Sequence, residues 1–148
     1  MFLVRRDGWR ITLDGRSPME EVDVRTFLPK AEKIFFRDAL VAVHGGKVLA
    51  GLFYLRTFIE QFARRQTGIT DKFGDAVMKA YGDILPTQHR DHMPSLRSLY
   101  ERLSEALHAA RCDKNDEALF EKAREDIEKH FDIRRVFKIP ELSGLTKP

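Results

Sequence analysis

The 148-residue chain is long enough for one domain with a sizeable core, and its 43% apolar and 33% charged residues exclude an intrinsically disordered protein. A formal net charge of +3 permits contact with nucleic acid without demanding it. The single cysteine, Cys112, excludes an intramolecular disulfide framework and a cysteine-based zinc site, and it fits a reducing cytosol.

Met1-Phe2-Leu3-Val4 meets Arg5 and Arg6 too soon to form the apolar stretch of a signal peptide, so none is expected. Phe2–Arg6 and Trp9–Leu13 are β-prone runs on either side of Asp7-Gly8, a strong hairpin signal. A lone hairpin is marginal in water and needs a packing surface on the helices, on a partner chain or on a further domain. Val22 to Pro29 reads as an extended connector.

From about Lys30 to Val43 the apolar positions Ala31, Ile34, Phe35, Ala39, Leu40 and Val43 predict a first helix, closed by His44-Gly45-Gly46. The next stretch organises the chain. Val48, Leu52, Leu55, Ile59 and Phe62 recur at three- and four-residue steps on one stripe. Leu49, Phe53, Tyr54 and Phe58 lie off that stripe, so the first half is apolar on nearly every side. That is the pattern of a central helix covered by several others. Lys47, Arg56 and Glu60 interrupt it too often for a membrane span. Arg56 and Glu60, four apart, are expected to pair on one face, a structural role. Arg64 and Arg65 suit the negative end of the helix dipole, and Gly68 closes the helix.

Thr70 is the expected N-cap of a third helix with the stripe Phe73, Val77, Ala80, Tyr81 and Ile84, stopped by Pro86. Thr87 to Pro94 reads as a polar loop. Ser95 should cap a fourth helix carrying Leu96, Leu99, Tyr100, Leu103, Leu107 and Ala110. After a turn at Asp113–Asp116, a fifth helix runs from Glu117, with Leu119, Phe120, Ala123, Ile127 and Phe131 on its buried face. Its acidic start and its Lys129, His130, Arg134 and Arg135 end complement a helix dipole. The fold expected is mostly α: a bundle of about five helices with an N-terminal β-hairpin. Residues 1–29 form the hairpin and connector, 30–140 the helical bundle and 141–148 a frayed tail.

Several clusters invite a chemical reading. His89, Asp91 and His92 could contribute to a metal site, but three ligands in four loop residues with no further ligand nearby read as a polar surface loop; no metal or cofactor is expected. Gly45-Gly46-Lys47 opens a helix and could hold a phosphate, yet it lacks the rest of a P-loop and reads as a tight turn. Cys112 has no evident base beside it and reads as a bystander.

Tyr54-Leu55-Arg56 with Glu60, followed by a short amphipathic helix and then Arg102-Leu103-Ser104-Glu105-Ala106-Leu107-His108, resembles the HEPN-like helical domains of unknown function that recur in bacterial restriction and defence proteins. The resemblance covers roughly the last two-thirds of the chain. It implies a helical bundle that forms a homodimer in a nucleic-acid-processing or defence setting, and the cysteine usage and interrupted central helix add the expectation of a cytoplasmic location with no membrane partner. In ribonuclease members of that group an Arg and a His at this spacing cut RNA at a dimer interface. The resemblance therefore implies Arg102 as the phosphate-stabilising residue and His108 as the general acid–base. Leu103 departs from the small polar residue those members carry after the Arg. On one regular helix, Arg102 and His108 also lie about 120° apart. The expectation is thus a non-catalytic interaction module, with two alternatives: a metal-independent ribonuclease, and a non-cleaving nucleic-acid or nucleotide binder using Lys47, Arg64, Arg65, Arg134 and Arg135.

Overall fold

A computed structural model of the chain describes residues 23–109 and 114–142. These residues are mostly helical: α1 (Lys33–His44), α2 (Val48–Thr67), α3 (Gly74–Ile84), the single turn α4 (Thr87–Arg90), α5 (Leu96–Ala109) and α6 (Lys114–Val136). No strand occurs among them. The expected hairpin and Cys112 lie outside the described residues. No helix among the described residues is long and apolar enough to cross a membrane.

The α2 helix is the axis of the bundle, as its nearly all-round apolar sequence requires. Leu52, Leu55, Phe58, Ile59, Phe62 and Ala63 are fully buried. They are covered by α1, α3, α5 and α6. Aromatic rings bind the layers edge to face: Phe36 to Phe58 at 5.5 Å, Phe58 to Phe131 at 5.6 Å, Phe131 to Phe62 at 4.7 Å and Phe62 to Tyr81 at 5.4 Å. A Cβ added at Gly51 would run into Val43 Cγ2 and lie 3.1 Å from Phe120, so glycine is what lets α1 approach α2 this closely.

Local signals misplace some boundaries. The third helix begins at Gly74 with Phe73 as N-cap and no side-chain cap, so Thr70 does not start it. Phe73, expected on the buried stripe, is 90% exposed because it precedes the first helical turn; Ile84 is also exposed, at the last. Residues 87–90 form a helical turn inside the expected loop. Ser95 does cap: its Oγ accepts from Ser98 N–H at 3.2 Å.

Glu141 and Leu142, the first two residues of the expected frayed tail, are tied to α2, and residues 143–148 lie outside the described residues. Glu141 bonds Arg65, and the backbone of Leu142 bonds Gln66 on α2. Both anchors lie far away in sequence, beyond the reach of any local pattern.

Candidate functional site

The segment between α3 and α5 is held from below by a buried polar chain. His130, on α6, is 1% exposed. Its Nδ1 lies 2.8 Å from the Pro94 carbonyl, which can only accept, so that nitrogen carries the proton. Its Nε2 is then the acceptor, 2.7 Å from Tyr81 Oη. Tyr81 Oη in turn accepts from Arg134 Nη1 at 3.0 Å. The His130 Nδ1 proton and the Tyr81 hydroxyl proton each have an acceptor. Burial is the main force on both titrating groups: it pushes the His130 pKa down to about 4 and the Tyr81 hydroxyl up to about 12, the latter against the opposing pull of Arg134. His130 is therefore a neutral structural hydrogen-bonding group at pH 7. Arg90 pins the other end of the segment through the Leu85 and Asp83 carbonyls, at 2.9 and 2.5 Å.

Held this way, the segment forms one wall of an open cleft of about 390 Å³ against α5 and α6, which brings Arg102 together with His92, Ser95, Ser98, Asp126 and Lys129. Arg102 Nη2 donates to Asp126 Oδ2 at 3.3 Å, and Lys122 pairs with Asp126 Oδ1 at 3.0 Å. Asp91 and Asp126 offset Arg102 and Lys129. The cleft can exchange hydrogen bonds with a polar partner, but it does not concentrate positive charge for a polyanion.

His108 does not join this cleft. It is exposed near the end of α5, about 9 Å along the axis from Arg102 and about 120° around it. Within one chain, the residue that shares a surface with Arg102 is His92, which sequence spacing could not single out. His89 is turned elsewhere, stacked on Phe137 at 4.1 Å between centroids. Among the described residues no group of three His, Cys, Asp or Glu side chains is placed to hold a metal ion.

Arg56 and Glu60 belong to one network but bond through an intermediary. Arg56 Nη2 donates to Tyr100 Oη at 2.7 Å, and Tyr100 Oη donates to Glu60 Oε2 at 3.3 Å. Glu60 instead pairs with Arg64, at 2.6 Å. Tyr100 runs against Gly74, where an added Cβ would collide with its hydroxyl. Burial raises the Tyr100 pKa, and the Arg56 hydrogen bond opposes it.

The remaining sequence candidates are engaged within the chain, apart from Lys47, which is exposed at the N-cap of α2. Arg65 grips the buried carboxylate of Glu32 through Nε and Nη2 at 2.8 and 2.9 Å, and this bonding raises its pKa further. Arg134 is buried beneath Tyr81 and the Pro140 carbonyl. Arg135 pairs with Asp132 and lies over Phe27. Sequence reasoning missed Tyr81, Glu32 and Gln66 as network members. His130 alone left a trace, at three residues from Ile127 on the apolar face of its helix.

Comparison of the chain with protein-family models, curated proteins and solved structures finds no match in any of the three.

Proposed function

We propose that this protein is a non-catalytic helical interaction module that self-associates as a homodimer in the cytoplasm, in the nucleic-acid-processing or defence setting that its HEPN-like resemblance implies. The outer face of α1 carries this reading. The helix packs on α2 and turns Ile34 and Val41 the other way, 52% and 42% exposed. They are two turns apart on one side of the helix, and exposed apolar side chains so arranged mark an association surface.

The face is self-complementary. A two-fold axis between Arg37 and Asp38 sets Ile34 of one copy opposite Val41 of the other, and Arg37 opposite Asp38. Support for the non-catalytic part comes from Arg102, which pairs with Asp126, and from its divergence from His108.

Light scattering at micromolar concentration tests the proposal. Wild type should give twice the 17.2 kDa chain mass. Ile34→Glu with Val41→Glu should give the single chain mass with an unchanged melting temperature. A wild-type monomer at every concentration, or glutamate variants that stay dimeric, refutes it.

A further inference from the structure

A helical glycine that the backbone does not require stands on the wall of a small cavity. The cavity, of about 150 Å³, lies between α3 and the segment that leads into α5. Met78, Tyr81, Gly82 and Leu85 line it from α3 and its C-cap, at the three- and four-residue steps that share one helix face. Met93 and Leu96 line it from the facing segment.

Gly82 is the exception on that face. Met78, Tyr81 and Leu85 are buried, at 9% exposure or less, whereas Gly82 brings no side chain. Its φ lies outside the left-handed region, so the backbone there would accept any ordinary helix former. A Cβ built on it meets no heavy atom within 4 Å. Gly51 and Gly74 differ: there an added Cβ would collide with Val43 or Tyr100. Glycine inside a helix is less stable than alanine. Close packing explains it at Gly51 and Gly74. At Gly82 the missing side chain leaves only room.

The walls define what that room suits. Both ring nitrogens of His130, which also lines the cavity, are engaged with Tyr81 and the Pro94 carbonyl. Tyr81 Oη is engaged with His130 and Arg134. A trapped water needs two to four polar partners, and these groups already have theirs. An apolar cavity of this size accommodates a benzene-sized molecule. Methionine adapts to the shape of its neighbour and makes favourable sulfur–ring contacts, so Met78 and Met93 favour an aromatic occupant.

We propose that the cavity between α3 and the segment leading into α5 is a binding site for a small uncharged aromatic ring, kept open by Gly82. The site goes beyond the α1 association face and does not depend on it.

Benzene is the probe, titrated into the full chain with isotope-labelled methionine methyls and followed by NMR. The Met78 and Met93 signals should move together and saturate with one dissociation constant, on the order of 1 mM, an affinity that six non-hydrogen atoms can supply. Gly82→Leu sets a side chain where the ring would sit, and leucine is the better helix former. That variant should melt no lower than wild type and bind benzene at least about tenfold more weakly. Wild-type signals that stay in place, or that move without saturating up to about 10 mM benzene, overturn the proposal. So does a folded Gly82→Leu that binds benzene as tightly as wild type. If Gly82→Leu fails to fold, Gly82→Ala takes its place and should weaken benzene at least about threefold; unchanged affinity in that variant overturns the proposal equally.

Discussion

Acid should weaken this fold through His130, and the size of the effect follows from its surroundings. The folded chain holds the imidazole neutral, with its pKa pushed down from 6.5 to about 4. In the unfolded chain it titrates near its ordinary value. Between those two pH values the unfolded state binds the extra proton, so stability is fully present above pH 6.5 and falls as the pH drops towards 4. The loss runs at about 1.4 kcal/mol per pH unit, reaching ~2 kcal/mol at pH 5 and ~3 kcal/mol at pH 4. Below that the folded imidazole is protonated too, and this contribution stops changing. Urea unfolding at half-unit steps from pH 7 to 4, on wild type and on His130→Gln, isolates the effect, because carboxylates titrate alike in both. The variant should be weaker at pH 7 by about 1–3 kcal/mol, having lost its bonds to Tyr81 and Pro94, and its curve should be flatter by the slope above. Parallel curves for the two proteins would refute the account of His130 as a buried neutral hydrogen-bonding group.

Two further outcomes test the packing. Leu55→Ala or Ile59→Ala, each at a fully buried position on α2, should cost about 2–5 kcal/mol in urea unfolding, and a loss under about 0.5 kcal/mol would mean α2 is not the axis of the core. Gly74→Ala should cost about 1–3 kcal/mol by driving Tyr100 off Arg56 and Glu60. In a Tyr100→Leu background, with the ring tip gone, it should cost under about 0.5 kcal/mol; equal losses in the two backgrounds would show that Tyr100 is not the obstacle.

The sequence by itself determined what depends on neighbours within a turn or two. The three- and four-residue stripe from Val48 to Phe62 marked α2 and its burial, because a helix returns to the same face at that period. Ser95 marked the start of α5 by a bond three residues long. Only the tertiary structure decided what depends on residues far apart in the chain. Arg56 finds Tyr100 forty-four residues away, Tyr81 finds His130 forty-nine away, and Gln66 finds Leu142 seventy-six away. No local period encodes such distances. A charged or polar residue on a helix looks the same in sequence whether it meets solvent or a buried partner. Arg64, Arg65 and Arg134 therefore read as a basic surface, while packing spent them on Glu60, Glu32 and Tyr81. For the same reason Arg102 was matched to His108 by spacing, whereas the fold seats it beside His92 and Asp126, delivered by a loop and a helix that only packing brings to α5.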